Sequence, residues 1–432
     1  MTDLVITGAR CVATVDDDRR EIGDGWVAVT DGLIEAVGDG APPDAAEVID
    51  AADCLVTPGL INTHHHLYQN LTRAFPPMTD KPLFGWLQSL YPLWATLDSE
   101  SVYVSTWVGL AELALSGCTT SSDHLYLHPR GAGDLLGAEI DAARAVGLRF
   151  HPTHGSMSLS QKDGGLPPDD VVADDDEILA ASEAAVSRHH DRSWGAMTQI
   201  ALAPCSPFSV TEALMLRTAE LAERLDVRLH THFAENDEDD AFSLETFGCR
   251  PMEYLERTGW ATDRTWVAHC PSSNMILASG ISPVVDLRAA GVPVGLGVDG
   301  SSSADSASLW LEARQAMLLA KLRSGAGAST ARMALEIATR GGAACLGRSG
   351  ELGVIEPGAV ADLAVWSLTG PAHAGAVADP VEGWLRCGPM SARDTIVAGR
   401  SVVRDGRLVS GEVEAMLREH DRLARRMQRT AP

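Results

Sequence analysis

The chain has 432 residues, 45% of them hydrophobic, which is enough for a large buried core and for more than one domain. Its formal net charge of −25 argues against nucleic acid or an anionic membrane surface as a partner, because both bind to basic patches. No apolar run of about 18 residues occurs, so we expect no membrane-spanning helix.

The eight cysteines are scattered along the chain and form no CxxC motif. This pattern is typical of reduced, buried thiols rather than of a disulfide framework. The first residues, MTDLVITGARC, lack the basic region and the long apolar stretch of a signal peptide. We therefore expect a cytoplasmic protein.

Both ends of the chain show short alternating apolar runs separated by glycine turns, which is typical of small antiparallel sheets. Near the C-terminus, Asp405-Gly406 is a strong hairpin signal. We predict that residues 1–56 and 353–415 form one composite β-sandwich domain. Residues 416–432 are charged and helical by pattern, and we expect them to form a tail at the surface.

Residues 57–352 alternate between apolar strands and helical stretches, which predicts an α/β fold with a parallel sheet covered by helices. Helical spacing covers residues 99–117, after Asp98 or Ser99 as N-cap, and residues 211–226. The predicted strands are 54–61, 118–124, 147–154, 199–208, 227–233, 265–270 and 292–299. These seven strands predict a (β/α)8-type, TIM-like barrel that is one strand short.

Three histidines follow the first of these strands, in the segment PGLINTHHH that ends at His66. In an extended segment, residues i and i+2 point to the same side, so His64 and His66 direct two imidazoles toward one point. Neutral imidazole is the commonest metal ligand in proteins. The pair therefore predicts half of a metal site, although packed core histidines can show the same spacing.

Other strand ends supply the remaining candidates, at the sheet edge where a parallel barrel carries its chemistry. The segment VRLHTHFAE contains His232, with His230 as a competing ligand, and GLGVD ends at Asp299. Together with the first pair they offer the nitrogen and oxygen donors of a catalytic zinc site with one open position. Glu235 lies three residues after His232 and is placed to act as a general acid and base.

Taken singly, some of these residues could have a purely structural role. Asp299 could be an N-cap before Ser301–Ser303, and Asp123 and His124 end a strand and could support ligands rather than bind metal. The chain has neither the HxE and PCxxC signature of cytidine-type deaminases nor a GxGxxG or GxxxxGK[ST] motif. Nucleotide cofactors are therefore not indicated.

Motifs along nearly the whole chain resemble those of the amidohydrolase superfamily, namely PGLINTHHH, HTHFAE, VAHCPSSNM, GLGVDGSSS, ALEIATRGGAACLG and GVIEPGAVADLAV. Within this superfamily, five further segments are most similar to deaminases that act on 8-oxoguanine: NTHHHLYQNLTRAF, FGWLQSLYPLWA, SGCTTSSDHLY, DGGLPPD and APCSPFSV. The neighbouring group contains triazine hydrolases and other aminohydrolases.

The resemblance implies one zinc ion per chain, with iron as the alternative metal, held by His64, His66, His232 and Asp299. Glu235 would move protons to the ring nitrogen and the departing amine, and Asp299 would also take a proton from the attacking water. His269, which ends the strand in TWVAHC, would polarise the substrate or orient the water. Substrate contacts are expected from Gln69, Trp86 and His154.

The activity implied is the hydrolysis of 8-oxoguanine to urate and ammonia. The alternatives are an aminohydrolase for guanine, a triazine or another amino-heterocycle, and, from a different class, a catalytically defective relative. A homo-oligomer, a dimer or larger, is expected.

One departure from the superfamily pattern concerns chain length. Asp299 follows His232 by 67 residues, whereas three βα steps need roughly 94 at the usual length of such barrels. Relatives carry two VAHC-like segments here, and this chain has one, residues 267–270. We therefore expect about one βα unit to be missing, with unpaired strand edges as a consequence. Whether His269 then ends the sixth or the seventh strand stays open.

Overall fold

The computed structural model describes residues 2–262 and 265–429, so residue 1 of the predicted sandwich and residues 430–432 of the predicted tail lie outside it. Within the described ranges the strands follow one another in this order: β1 (Thr2–Ala9), β2 (Cys11–Ala13), β3 (Glu21–Ile22), β4 (Gly25–Thr30), β5 (Leu33–Gly38), β6 (Ala45–Asp50), β7 (Cys54–Pro58), β8 (Leu60–Asn62), β9 (His65–His66), β10 (Cys118–Leu125), β11 (Arg149–Ser156), β12 (Ala201–Pro204), β13 (Val267–His269), β14 (Val294–Leu296), β15 (Asp299–Gly300), β16 (Leu363–Ser367), β17 (Asp394–Val397), β18 (Arg400–Arg404) and β19 (Arg407–Leu408).

The α-helices of the same ranges follow in chain order: α1 (Leu83–Trp94), α2 (Ser99–Leu115), α3 (Leu135–Val146), α4 (Asp175–His189), α5 (Glu212–Leu225), α6 (Asp237–Phe247), α7 (Pro251–Arg257), α8 (Pro271–Ile276), α9 (Val284–Ala289), α10 (Ser301–Ala304), α11 (Leu309–Ser324), α12 (Ala331–Glu336), α13 (Gly342–Cys345), α14 (Pro380–Arg386) and α15 (Val413–Gln428). None of them is both long and apolar enough to cross a membrane.

The two ends of the chain share a sheet. A seven-stranded sheet has the order β19-β18-β17-β16-β7-β2-β3, so the C-terminal strands β16–β19 lie side by side and join the N-terminal strands β7, β2 and β3 through the β16–β7 pair, and a four-stranded sheet has the order β5-β4-β1-β6. Buried aliphatic side chains from both sheets, among them Ile6, Val27 and Leu363, form a common core. The boundaries predicted for a composite domain, 1–56 and 353–415, stay a prediction.

The predicted strand 54–61 is two strands in the structure. β7 pairs with β16 in the seven-stranded sheet, and β8 pairs with β10 and β14 in the central sheet. Gly59 separates them, and a Cβ atom at this position would lie 2.2 Å from the side chain of Thr119. A residue with a side chain would therefore clash where the chain passes from one sheet to the other.

The central sheet is parallel and carries its strands in the order β12-β11-β10-β8-β14-β13. A bridge between Leu202 and Leu229 adds the segment 227–233 next to β12, so seven parallel segments are present as predicted. Among the described residues, no backbone pairing joins 227–233 to β13. The strands β8, β10 and β12 are buried throughout, as expected for a sheet covered on both faces.

The helices that the sequence predicts at 99–117 and 211–226 are α2 and α5. Asp98 accepts a hydrogen bond from the amide of Ser101 and caps α2, and Thr211 caps α5 in the same way. The C-terminal tail differs from its prediction, because α15 begins at Val413 and packs against α2. Its Leu423 and Met427 are buried, so α15 is part of the packed structure and not only a surface tail.

Candidate active site

The four predicted metal ligands come together at the carboxyl edge of the central sheet. His64 precedes β9 and His66 ends it, and β9 pairs in parallel with β15, which places Asp299 beside His65. The amide of Asp299 donates to the carbonyl of His64 at 3.1 Å, and Asp299 itself adopts a left-handed backbone conformation with φ +58°. Backbone strain of this kind is common where a side chain is held for function.

Distances between the candidate ligand atoms fit a tetrahedral zinc site. The Nε2 atoms of His66 and His232 are 3.0 Å apart. Oδ1 of Asp299 is 3.2 Å from Nε2 of His64 and 3.5 Å from Nε2 of His66. Ligands that bind zinc at roughly 2.0–2.2 Å in tetrahedral geometry lie about 3.3 Å from one another. The observed distances lie close to this value, so the residues present fit the metal.

Hydrogen bonds to the opposite ring nitrogens select the tautomers that metal binding needs. Nδ1 of His66 is 2.7 Å from the carbonyl oxygen of His124, and Nδ1 of His232 is 2.7 Å from that of Cys205. Because a carbonyl only accepts, each Nδ1 carries the proton and donates it, which leaves the Nε2 lone pair for a metal. Burial lowers the pKa of both imidazoles, that of His232 to about 4, so both are neutral.

Glu235 lies at the same edge, directly after a strained turn. Ala234 has φ +49°, and the amide of Glu235 donates to Oδ2 of Asp239 at 2.8 Å. Among the described residues, no group forms a hydrogen bond to Oε1 of Glu235. Burial, and then the nearby carboxylates of Asp299 and Asp239, raise the pKa of Glu235 well above its usual value. The carboxyl group is therefore suited to carry a proton at neutral pH.

A cavity lies in front of these groups, and the empty space within it, which includes open solvent, is about 400 Å³. Its polar lining includes His66, His232, Glu235 and Asp299 with Gln69 and Trp86, and its largely apolar wall includes Leu83, Leu87, Tyr91, Tyr126, Phe208 and Leu277. Like Oε1 of Glu235, three other buried polar atoms of the lining have no hydrogen-bond partner within the described part of the chain: Gln69 Oε1, Trp86 Nε1 and Tyr91 Oη.

Gln69 fits into this lining only because residue 300 is a glycine. A Cβ atom at Gly300 would lie 1.8 Å from Oε1 of Gln69. The glycine of the GVDGSSS segment thus leaves room for the amide beside Asp299. The sequence-based placement of Gln69 and Trp86 near a substrate agrees with their position in the cavity, and their role as substrate contacts stays a prediction.

The structure does not bring His269 to the cavity. The residues that line the cavity, taken from the described ranges, do not include it, and burial keeps its imidazole neutral, with a pKa of about 4. β13 pairs directly with β14, whose neighbour is β8. His269 therefore ends the strand next to the last one, the seventh position, and its expected role in polarising the substrate or orienting the water stays a prediction.

His154 is also directed away from the cavity. Its ring stacks on that of His128, with centroids 5.2 Å apart, and its Nδ1 is 3.0 Å from the hydroxyl of Ser182 on α4. Side chains alternate along a strand, and this position of β11 faces the helix layer. The predicted substrate contact at His154 is therefore corrected as well.

Sequence reasoning missed the function of two residues near the site. The acidic run 236–240 reads as a solvated helix start, and Asn236 does cap α6, yet Asp239 is buried and holds the amide of Glu235. His230 was considered only as a competing ligand, and its Nε2 lies 2.8 Å from Nδ1 of His64. The HTH spacing that places His230 and His232 on one side of the chain was the available signal.

Three imidazoles and a carboxylate at the strand ends, with a buried acid beside them, define the site of a metal-dependent hydrolase. Residues 55–402 match the amidohydrolase family, and the chain belongs to this family.

Named relatives agree with this class of site. The chain is 46% identical over 420 residues to an 8-oxoguanine deaminase of Pseudomonas aeruginosa, an alignment that covers 92% of this chain and 93% of the relative. It is 32% identical to the hydroxydechloroatrazine ethylaminohydrolase of a Pseudomonas species, over 99% of this chain and 96% of the relative. The crystal structure of an atrazine chlorohydrolase from Arthrobacter aurescens complexed with zinc superimposes with a TM-score of 0.92 at 30% identity, over 98% of this chain and all of the other.

Proposed function

We propose that the protein is a zinc-dependent aminohydrolase that converts 8-oxoguanine and water to urate and ammonia. The observation that carries the proposal is the cavity that unites His66, His232, Asp299 and Glu235, whose Oε1 has no hydrogen-bond partner among the described residues. The 46% identity to an 8-oxoguanine deaminase supports the substrate. The relatives' shared chemistry, the removal of an amino group from a heterocycle, supports the reaction class.

His64, His66, His232 and Asp299 would hold the metal, and iron is the alternative ion. A zinc ion bound there lowers the pKa of a water molecule to roughly 7 and so supplies a nucleophile at neutral pH. Asp299 would take a proton from the attacking water as oxygen adds to the amino-bearing ring carbon. Glu235 would donate its proton to the adjacent ring nitrogen, take up the proton of the newly added hydroxyl group and pass it to the amine, which leaves as ammonia as the C–N bond breaks. The proton taken by Asp299 would then restore the acid form of Glu235.

The unpartnered polar atoms of the cavity would orient an oxopurine. Oε1 of Gln69 can accept from a ring N–H, and Nε1 of Trp86 can donate to a carbonyl oxygen or a ring nitrogen. Burying such groups without a partner is costly, so a substrate that satisfies them gains both affinity and specificity. The apolar wall that includes Leu83, Leu87 and Phe208 is suited to cover a flat ring.

Another amino-heterocycle is the alternative substrate within the same reaction class. The relatives include an isoxanthopterin deaminase at 32% identity over 98% of this chain. Guanine, pterins and triazines present the same amidine group as 8-oxoguanine, so the metal and acid chemistry would serve all of them. The contacts from Gln69 and Trp86 would decide among the rings.

The fold we propose is a TIM-like barrel without one βα unit between the segment 227–233 and β13. The absence of backbone pairing between 227–233 and β13, among the described residues, supports this fold. The alignment to the hydroxydechloroatrazine ethylaminohydrolase spans 465 residues, which is 33 more than this chain contains. Unpaired strand edges favour association, so we also propose a homo-oligomer, a dimer or larger, in the cytoplasm, where the eight free cysteines would stay reduced.

The test measures ammonia release from a panel of 8-oxoguanine, guanine, isoxanthopterin and a hydroxytriazine, together with zinc content. We expect about one zinc per chain and the highest kcat/KM for 8-oxoguanine, with urate as the second product. Strong turnover of another ring without turnover of 8-oxoguanine would reject the substrate. Zinc below about one-tenth equivalent after growth with added zinc, together with no turnover, would favour a catalytically defective relative.

A further inference from the structure

The three histidines proposed as ligands do not have the same kind of partner. His66 and His232 donate from Nδ1 to backbone carbonyls, whereas Nδ1 of His64 is 2.8 Å from a second imidazole, that of His230. We propose that His230 is a positioning residue, whose Nε2 accepts the Nδ1 proton of His64 and so holds His64 in its metal-binding tautomer. The inference rests on the metal ligands proposed above.

The position of His230 follows from the backbone. Its amide donates to the carbonyl of Leu202 at 2.9 Å, which attaches it to the edge of the central sheet. His230 and His232 are two residues apart and point to the same side, so one strand end supplies a ligand and the partner of another ligand. The rings of His64 and His230 have centroids 4.9 Å apart and planes inclined by 33°.

The local packing leaves Nε2 of His64 to face Asp299. Oδ1 of Asp299 lies 3.2 Å from this nitrogen, while His230 contacts the opposite side of the same ring. An imidazole with a fixed Nδ1 donor presents its Nε2 lone pair in one direction. Loss of the acceptor would allow the ring to rotate or to change tautomer, and both would weaken metal binding.

A second metal ion is the competing explanation, because ring nitrogens of His64, His124 and His230 lie within 4.8 Å of one another. Such an ion would require His64 to bind metal through both nitrogens and thus to lose its last ring proton. This set of ligands consists of three imidazoles, so it contains no carboxylate whose charge could balance that of a second buried dication. The contacts therefore favour a hydrogen bond over a second ion.

The test compares His230→Met with His230→Gln, two side chains of similar length of which only glutamine carries an acceptor. Zinc affinity is measured by competition with a chelating indicator on metal-free protein, and zinc stoichiometry is measured on the loaded protein. We expect one zinc per chain in all forms, affinity about 10–100-fold weaker in His230→Met, and recovery to within about threefold in His230→Gln.

His151→Met is the matched control. His151 is another buried histidine of the central sheet, and among the described residues neither of its ring nitrogens has a hydrogen-bond partner. We expect its zinc affinity to equal that of the unchanged protein within about twofold. Thermal unfolding of each metal-free variant shows whether weaker binding follows from lost structure rather than from the lost acceptor.

Unchanged zinc affinity in His230→Met, or equal weakening in the glutamine variant, would overturn the inference. Two zinc ions per chain, falling to one in both variants, would replace it with the second metal site. If His230→Met does not fold, long-range ¹H–¹⁵N spectra of the histidine-labelled, zinc-loaded protein decide, since we expect a protonated Nδ1 on His64. These readouts use no substrate, so a failed 8-oxoguanine assay would leave them valid.

Discussion

The proposed proton transfers depend on the carboxyl group of Glu235. It lies in the cavity with Asp299, and burial keeps its pKa high, so its acid form is available before the reaction begins. The left-handed Ala234 and the hydrogen bond to Asp239 set its position. Asp239, which by its sequence looks like part of a solvated helix start, therefore supports the proposed catalytic group.

Replacement of Glu235 by glutamine keeps the shape and removes the transferable proton. We expect Glu235→Gln to retain about one zinc per chain and to lose activity by roughly 10²–10⁴-fold in kcat. Metal analysis and ammonia release on the same preparation measure both quantities. Turnover close to that of the unchanged protein would contradict the role of Glu235, and loss of zinc would indicate that Glu235 also holds the metal.

At the scale of elements, two buried acids connect β10 to α3. Asp123 on β10 accepts from the amide of Leu67, directly after the proposed ligand His66, and Glu139 on α3 lies against it. Both side chains are fully buried. Burial raises the pKa of Asp123 to about 7, and burial together with Asp123 raises that of Glu139 well above its usual range. The pair thus keeps a proton at a pH at which single acids on the surface would be ionised.

This pair makes stability depend on pH in a defined direction. The folded protein retains protons that the unfolded chain releases above about pH 4, so the free energy of unfolding falls as pH rises from about 4 to about 7. In Glu139→Gln the amide can donate to an ionised Asp123, so we expect a smaller decrease of the unfolding temperature between pH 5 and pH 7.5.

The measurement is thermal unfolding of metal-free protein at several pH values, so that zinc release does not contribute. Glu220→Gln, which changes an exposed acid on α5, is the matched control and should follow the unchanged protein. A decrease in Glu139→Gln as large as in the control would contradict the shared proton.

At the scale of the whole molecule, a buried ion pair joins the central sheet to the sheet of the chain ends. Arg149 on β11 donates to both carboxylate oxygens of Asp362, which precedes β16, at 3.1 Å and 3.0 Å. Both side chains are at most 2% exposed, so neither charge has access to water. The amide of Ala398 also donates to Asp362, at 2.8 Å, which ties a third segment to the pair.

Loss of one partner would leave the other charge buried and unpaired. We expect Arg149→Met to lower the free energy of unfolding by about 3–5 kcal/mol in urea titrations. Arg224→Met breaks an exposed pair with Glu183 and should cost about 0–1 kcal/mol. Equal effects of the two substitutions would show that the pair does not hold the two sheets together.

The features that could be predicted from the sequence depend on the geometry of the backbone within one segment. An extended segment repeats every two residues, so the spacing of His64 and His66 was enough to predict that they share a direction. Asp98 indicated the start of α2 because an N-cap acts on its own first turn. The apolar runs gave the correct number of parallel segments, although the break at Gly59 was missed because it depends on contact with Thr119.

By itself, the sequence determined the residues available for chemistry, the direction of side chains within each segment and the shortened distance between His232 and Asp299. Only the tertiary structure decided that β13 lies beside β14, that His154 faces α4, and that His230 and Asp239 hold other residues of the site in place. The physical reason is that strand neighbours and buried partners come from segments far apart in the chain, and spacing within one segment does not carry that information.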